Sequence, residues 1–514
     1  MRHTASHLRE TFKQIKNMRN KHFYLMLIFL SAFTVLRAQS VKAKMESFTD
    51  SLYNEKALNG NILVRDKGSI ILQKSYGFSD IENQKRHTVN STFNIASIAK
   101  LFTSTAIMQL EERGKIKVTD PVQKFLPTFP YNNITIKHLL THTAGLPYIF
   151  DEIIRSEKII SNLNNEYILD NLKNRELLRE PGTKWEYSNT AYCILALVVE
   201  KVTGTKFSEY VKKNIFQKAG MSETYFHGND YSKIHSYEED NFFKGKFNRV
   251  DTNVFFKLTQ GIYGADGVLS TSIDLDKFQY AFFNNKLLKT ETVDEILKPT
   301  VLNDGNVIKV DGGMTDSYFG LGWFILPDTT NGKIVGHTGG VPGSLSFFFT
   351  NSSQKQTVIL LDNTHSSRTY STGENLLEII NNKKPTQYKS SRAQAINYMR
   401  LLVGKGTNEA FVYLQKCLED TITYSKFRDN SINNLAGELM DRTEIKNNLD
   451  LAIEALKINI MLFPNSVITH NWYAWALLNA GKKEEAIWVY QKALKMDSNN
   501  EEAKSELEKL LKKE

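Results

Sequence analysis

Ser97 and Lys100 stand three residues apart in FNIASIAKLF, a stretch whose other residues are mostly apolar. On a helix, side chains at this spacing lie on the same face. A buried ammonium is costly unless nearby groups use it, and in a partly dry pocket it loses affinity for its proton. The pair therefore predicts a nucleophile with its base, in which Lys100 accepts the hydroxyl proton of Ser97.

A second Ser-x-x-Lys match, from Ser352 to Lys355, has a different context. Ser352 lies in the polar stretch TNSSQKQT between two apolar segments, where a solvated turn is expected. Ser97 instead begins a segment with apolar residues at helical spacing that stops at Gly114, and the first turn of a helix favours negative charge on a nearby oxygen. Taken alone, the motif leaves an ordinary helix start as an equal alternative.

Two further motifs follow in order, within KWEYSNTAY and IVGHTGGVPG. They are Tyr187-Ser188-Asn189 and His337-Thr338-Gly339. Together with the Ser-x-x-Lys pair, this order resembles the serine beta-lactamase and penicillin-binding-protein superfamily. Within it the resemblance is to the class C-like branch, which also contains DD-carboxypeptidases, D-aminopeptidases and esterases. The resemblance covers residues 42–382 and extends to phrases such as GADGVLSTSIDLDKF and YFGLGW.

The resemblance implies a catalytic role for Ser97, Lys100 and Tyr187. Ser97 would be acylated, and Lys100 and Tyr187 would share the proton, with the phenol acting as base during attack and as acid toward the leaving group. Which of the two holds the proton at rest stays open at this point. No metal or organic cofactor is required for this chemistry.

The resemblance also implies a set of substrate-binding residues, which are Asn189, His337, Thr338, Gly339 and Gly340. The Asn189 amide would bind substrate and orient Lys100. The third motif would line the opposite wall on an edge strand, where Gly339 permits a close approach of the backbone. The backbone amides of Ser97 and Gly340 would hold the oxyanion.

His337 departs from the lysine that lactamases of this group usually have at the first position of the third motif. A neutral imidazole offers no permanent charge to a substrate carboxylate. We therefore predict a hydrolase of peptides, amides or esters that acts through an acyl-enzyme, as DD-peptidases, D-aminopeptidases and esterases do. Two alternatives stay open: a beta-lactamase that hydrolyses antibiotics, and a catalytically silent binding protein that works through its C-terminal tail.

The chain has 514 residues, which predicts at least two folded units. Residues 42–382 have the mixed α/β (α+β) texture of an antiparallel sheet flanked by helices, closed by its first and last strands and joined to a helical part. A polar linker is predicted at 383–392. Residues 393–514 predict an all-α unit whose 34-residue period is typical of tetratricopeptide repeats, with a generic helical bundle as the alternative.

Residues 1–38 hold seven Lys or Arg and one acid, so most of the net charge of +9 lies there. The remainder is close to neutral, which argues against a nucleic-acid partner. Residues 23–36 are apolar and have the length of a signal-peptide core, so we expect cleavage near Ala38, with Met18 as a possible true start. The mature form is expected in the periplasm or medium without a membrane span; an uncleaved anchor is the alternative.

The expected partners are a small-molecule or peptide substrate and a protein bound by the C-terminal repeats. Cys193 and Cys417 are expected to be packing residues. His142, in a second His-Thr pair, is interpreted as part of a structural turn. The charged and aromatic loop at 238–255 is interpreted either as solvated cover or as part of a binding pocket.

Overall fold

The structure is a computed structural model of the chain. It describes the following residues: 41–156, 158, 160, 163–227, 235–250, 259–310, 317–327, 332–385, 391–420 and 428–511. The predicted signal peptide, Met18 and Ala38 lie outside these ranges, as do positions 386–390 of the predicted linker. Within the described ranges, no helix is both long enough and apolar enough to cross a membrane.

An eight-stranded antiparallel sheet forms the centre of the first segment, in the order β10-β11-β12-β13-β14-β15-β1-β2. Its strands are β1 (Gly60–Asp66), β2 (Ser69–Tyr76), β10 (Lys309–Val310), β11 (Ser317–Phe319), β12 (Phe324–Ile325), β13 (Val335–Val341), β14 (Ser344–Asn351) and β15 (Gln356–Asp362). The pairing of β1 with β15 joins the first strand to the last, which confirms the predicted closure.

Among the described residues, short strands form three smaller sheets, β3 with β4, β5-β9-β6, and β7 with β8. They are β3 (Phe78–Asp80), β4 (Lys85–Arg86), β5 (Phe93–Asn94), β6 (Tyr225–Phe226), β7 (Tyr237–Glu239), β8 (Phe247–Arg249) and β9 (Val268–Ser270). The hairpin of β7 and β8, which contains residues 237–249, becomes important below because it reaches the C-terminal helices.

The central sheet is covered on both faces. Along β14, Phe348 belongs to one apolar cluster, while Phe347 and Phe349 belong to another. The same alternation holds in β15, since successive side chains of a strand point to opposite faces. This two-sided burial explains why apolar residues occupy consecutive positions, 347–349 in β14 and 358–361 in β15, rather than alternating ones.

Helices of the first segment supply these two layers. They are α1 (41–54), α2 (Ala99–Glu112), α3 (Ile136–Leu140), α4 (Ile149–Ser156), α5 (Asn165–Leu172), α6 (Asn189–Thr203), α7 (Phe207–Val211), α8 (Gln217–Ala219), α9 (Ser272–Phe283), α10 (Thr290–Ile296) and α11 (Thr369–Ile380). The larger cluster contains the buried faces of α2 and α6, and the smaller one contains those of α1 and α11. The predicted α/β class with a sheet flanked by helices is confirmed.

The C-terminal region, which we call the helical tail, is all-helical from residue 391. Its helices are α12 (Ser391–Lys405), α13 (Thr407–Glu419), α14 (Asp429–Met440), α15 (Asn448–Leu462), α16 (Val467–Asn479), α17 (Lys483–Met496) and α18 (Glu501–Leu511). They share an apolar cluster separate from the other two, which contains Cys417, whereas Cys193 lies in the largest cluster. The assignment of these helices to tetratricopeptide repeats stays a prediction.

The β7–β8 hairpin joins the first segment to the helical tail. Its Phe242 is only 3% exposed and belongs to the apolar cluster of the tail. The Asp240 carboxylate accepts a hydrogen bond of 2.8 Å from Arg442, whose guanidinium lies 5.3 Å from the centre of the Phe242 ring. Residues 238–250 of the loop are therefore an anchor between the two parts rather than solvated cover, and 251–255 lie outside the described residues.

We expect the Phe242→Ala variant to lower the stability of the helical tail. Removing a buried phenyl ring costs about 3 kcal/mol in a typical core. The neighbouring Phe243 is 38% exposed, so Phe243→Ala is the matched control. The measurement is the urea midpoint of tail unfolding in the full chain; equal midpoints for the two variants would contradict the anchor.

Candidate active site

Ser97 lies in a single 3-10 turn, Ala96–Ile98, that leads into α2 at Ala99. We expected Ser97 to begin the α-helix itself, but the α-helix begins two residues later, at Ala99. Ala96 has a φ of +46°, a backbone region that residues with a Cβ atom rarely occupy. The Ala96 N–H donates to the Asn94 side-chain oxygen at 2.8 Å. This bond stabilises the unusual backbone conformation that places Ser97 beside the sheet.

Side chains of β14 hold this turn against the central sheet. The hydroxyl of Ser344 donates to the Asn94 carbonyl at 3.0 Å, and that of Ser346 donates to the Ile95 carbonyl at 2.9 Å. On β13, a Cβ atom at Gly339 would lie 2.2 Å from the Ile95 carbonyl oxygen, which is closer than atoms can approach. Glycine at this position is therefore required for the third motif to reach the Ser97 turn.

Lys100 is fully buried and donates hydrogen bonds to three oxygen atoms. The distances from its Nζ are 3.0 Å to the Ser97 hydroxyl, 2.9 Å to the Asn189 side-chain oxygen and 2.8 Å to the Ala265 carbonyl. An ammonium has three N–H groups, so these oxygens account for all of them. The Asn189 and Ala265 oxygens can only accept hydrogen bonds, so they take two N–H groups of Lys100. The third position on Nζ therefore faces the Ser97 hydroxyl.

Burial lowers the pKa of Lys100 to about 8, because the protein interior solvates an ammonium less well than water does. The carboxylates of Asp266 and Asp151 act in the opposite direction and keep the pKa from falling further. Neither aspartate was singled out from the sequence. An amine with this pKa is partly neutral at pH 7 and can accept a proton.

Tyr187 completes a cluster around Lys100, whose Nζ lies 4.9 Å from the centre of the phenol ring. Burial raises the pKa of Tyr187 well above its ordinary value, and its hydrogen bond with Ser97 opposes that rise. The phenol is therefore a proton donor at neutral pH. Tyr192, whose ring centre lies 5.6 Å from the Lys100 Nζ, is a core residue, fully buried with its hydroxyl donating to the Leu140 carbonyl.

His142 supports the second motif, a contact that the sequence interpretation missed. Its ring lies 4.4 Å from that of Tyr187, centre to centre, and its Nδ1 accepts the backbone N–H of Ser188 at 3.0 Å. Burial holds the pKa of His142 well below its ordinary value, so the ring is neutral. The second His-Thr pair was the available signal, and it marks a residue that positions Tyr187.

Asn189 is held in one orientation by Asp151. The side-chain amide of Asn189 donates to the Asp151 carboxylate at 3.2 Å, which directs its oxygen to Lys100. Ser188 caps α6 by accepting the N–H of Ala191, so the second motif lies at the start of that helix. These contacts bring Ser97, Lys100, Tyr187 and Asn189 together as one hydrogen-bonded group.

The third motif lies on β13, between β12 and β14 in the sheet, so the expectation of an edge strand is wrong for β13 as a whole. However, β12 pairs only with Val335 and Gly336, which leaves residues 337–341 unpaired on that side within the sheet. Thr338 is partly exposed and Gly340 is exposed there. The Tyr370 hydroxyl donates to the Gly339 carbonyl at 2.9 Å and supports the strand.

His337 is buried, and burial together with the charge of Lys100 lowers the pKa of His337 to about 3. The imidazole is therefore neutral. Its Nδ1 lies 2.5 Å from the Thr338 carbonyl oxygen, which accepts the Nδ1 proton. This assignment makes Nε2 a lone-pair acceptor, and Nε2 has no hydrogen-bond partner in the described part of the chain.

One group of residues with metal-ligating atoms close together occurs in the described part of the chain: Asp80, Glu82 and His235. It shares no residue with the Ser97 group. Its carboxylates are already engaged, since Asn83 donates to Asp80 and Arg249 pairs with Glu82 at 2.8 Å. The Ser97 group itself brings a hydroxyl, a buried amine and a phenol together, an arrangement suited to acyl transfer by side chains.

Comparison with known proteins places this site in a family. A family model described as Beta-lactamase matches residues 39–379. Penicillin-binding protein 4* of Bacillus subtilis (strain 168) is 29% identical over 342 residues, which cover 65% of this chain and 74% of that protein. The match to the family model ends before the helical tail.

Two solved structures resemble the chain. A penicillin-binding protein from Bacillus halodurans is 27% identical with a TM-score of 0.54, and the comparison covers 64% of this chain and 97% of that one. The D-amino acid amidase of Ochrobactrum anthropi SV3, at 22% identity and a TM-score of 0.56, covers 67% and 99% and shares the fold. The chain belongs to the beta-lactamase family, which consists of serine hydrolases such as penicillin-binding proteins.

Proposed function

We propose that this chain is a secreted hydrolase of the class C-like branch that cleaves a peptide, amide or ester through an acyl-enzyme on Ser97. The observation that carries this proposal is the environment of Lys100. Two fixed acceptors take two of its N–H groups, and its third position faces the Ser97 hydroxyl. In the neutral amine, that position is a lone pair directed at the proton that must leave Ser97.

During acylation, the Ser97 oxygen would form a bond to the substrate carbonyl carbon while its proton passes to Lys100. The backbone amides of Ser97 and Gly340 would stabilise the negative charge on the carbonyl oxygen. The bond to the leaving group then breaks, and the leaving group takes up a proton supplied by Lys100 or Tyr187. A water molecule would release the acyl group by the same proton path in reverse.

The opposite pKa directions of the two candidate bases favour Lys100 over Tyr187 for the attack. Burial lowers the pKa of Lys100 to about 8 but raises that of Tyr187. At neutral pH, a fraction of Lys100 can accept a proton, whereas Tyr187 holds its own. Tyr187 is better suited to donate to the leaving group, with Lys100 restoring its proton.

The substrate proposal rests on His337. Its neutral ring is buried, including the unpartnered Nε2, and it offers no positive charge to a substrate carboxylate. We therefore rank efficient hydrolysis of beta-lactams below cleavage of peptides, amides or esters. The similarity to penicillin-binding proteins supports the use of a penicillin as an acylating probe rather than as the natural substrate.

The location and the role of the helical tail are proposed from the sequence. The basic and apolar residues of 1–38 support export to the periplasm or medium, with cleavage near Ala38. The 34-residue period supports tetratricopeptide-like repeats that bind an extended segment of a protein partner. Removal of residues 1–38 from the exported protein, read by N-terminal sequencing, tests the first of these proposals.

Ser97→Ala should abolish covalent labelling. Intact-protein mass after exposure to a penicillin and to a p-nitrophenyl ester should show one acyl adduct on the wild type and none on the variant. Ser352→Ala, in the other Ser-x-x-Lys match, is the control and should label normally because Ser352 lies in a turn. Labelling of Ser97→Ala would rule out Ser97 as the nucleophile.

The acylation rate should rise with pH to a plateau above about 8, because the folded-state pKa of Lys100 is about 8 and only the neutral amine is a base. Asn189→Asp should shift the rising part of this pH profile to higher pH by about one unit or more, since a carboxylate beside Lys100 stabilises the ammonium. Stopped-flow acylation between pH 6 and 10 measures both. A rate independent of pH in the wild type would contradict the assignment of Lys100 as base.

His337→Lys should raise the selectivity for nitrocefin, which has a carboxylate, over a neutral ester by about tenfold in kcat/KM, the size of a charge-assisted hydrogen bond. His337→Gln, which stays neutral, should leave the ratio near that of the wild type. An equal rise in both variants would show that the size of the side chain, not its charge, decides selectivity. Wild-type nitrocefin turnover as fast as that of the ester would reverse our ranking.

A further inference from the structure

A cavity of about 570 Å³ lies between the candidate active site and the helical tail, and we call it the tail-side cavity. One wall is the end of β13 at Gly340, whose backbone amide is assigned to the oxyanion. A second wall is α11, which contributes Tyr370 and Glu374. Because Tyr370 also donates to the Gly339 carbonyl, the cavity adjoins the strand that carries the third motif.

The helical tail and the β7–β8 hairpin form the remaining walls. Helix α12 contributes Ile396 and Arg400, and the hairpin contributes Glu239. Arg400 lies 3.2 Å from the Glu239 carboxylate and donates to the backbone carbonyls of Asp240 and Asn241. These bonds fix the tail against the hairpin, so the cavity exists only because the two parts of the chain are docked.

The charges of the cavity are not balanced. Arg400 is paired with Glu239, while the exposed Arg392 and Glu238 also line the cavity and have no ion pair within 4.0 Å among the described residues. Glu374 has no counter-ion at hydrogen-bond distance among the described residues, and its buried Oε1 has no hydrogen-bond partner there. Burial, with a smaller contribution from Glu378, raises the pKa of Glu374 to about 7. A carboxylate held in this way is stabilised most by a cation.

Apolar groups lie beside this carboxylate. Val341 and Leu345 on the sheet side and Ile396 on the tail side line the same space. A ligand that satisfies both features has an alkyl stem and a primary ammonium at its end. Such a group occurs on substrates with a diamine-like or lysine-like side chain.

We propose that the tail-side cavity is an accessory substrate subsite that binds an alkylammonium group, with Glu374 as its counter-ion and the helical tail as one wall. This inference rests on the proposed function, because it assigns a substrate class to the same Ser97 site. The tail then contributes to substrate selection directly, in addition to any protein partner it binds.

The first test measures binding without catalysis. The full chain is titrated at pH 8 with n-hexylammonium and with 1-hexanol by calorimetry. The wild type should bind the ammonium at least about tenfold more tightly, and Glu374→Gln should lose that preference. Glu291→Gln removes an exposed carboxylate that does not line the cavity, and it should keep the preference. No preference in the wild type, or the same preference in Glu374→Gln, overturns the proposal.

The second test measures catalysis with p-nitrophenyl 6-aminohexanoate and p-nitrophenyl hexanoate. Glu374→Gln should lower kcat/KM for the amino ester by about tenfold and leave the neutral ester within about twofold. If Ser97 hydrolyses both esters and Glu374→Gln affects neither, the subsite is wrong and the proposed function stands. If neither ester is hydrolysed while hexylammonium binding depends on Glu374, the proposed function fails and only a ligand site remains.

Discussion

The burial of one ammonium group, that of Lys100, is the constraint on which the site depends. An uncompensated buried charge is costly, so the fold surrounds Lys100 with oxygen acceptors and two aromatic rings. Each neighbour is itself held by further contacts, as Asp151 holds Asn189 and His142 holds the second motif. Burial of Lys100 costs stability, but it also lowers the affinity of the amine for its proton. The proposed chemistry needs this lowered affinity, because Lys100 must be neutral to act as a base.

The second requirement is that this group meet the third motif. The Ser97 turn and β13 are separated by more than 230 residues in the chain, and they touch because a glycine on β13 lets the backbone approach the Ile95 carbonyl. Serines of β14 bond the turn from the same sheet. Since β14 is buried on both faces, the platform beneath the nucleophile is rigid.

Local sequence patterns predicted the local structure well. The segment with apolar residues at helical spacing was expected to stop at Gly114, and α2 ends at Glu112, just before that residue. Contacts between distant segments were not predictable in this way. The second His-Thr pair marked His142 but not what its ring contacts; its supporting role and the partial pairing of β13 depend on how distant elements pack. The three sequence motifs identified the catalytic candidates. The residues that hold those candidates in place could be identified only from the structure.

Because Phe242 packs in the apolar cluster of the helical tail, the predicted linker does not mark the border between the two packed parts of the protein. The predicted linker at 383–392 separates two stretches of sequence, yet a ring from the first stretch belongs to the apolar cluster of the second. Exchange of the helical tail for another helical array would therefore leave Phe242 exposed unless the new array offered a matching pocket. The hairpin and the tail therefore pack as one unit, although the linker separates them in the chain.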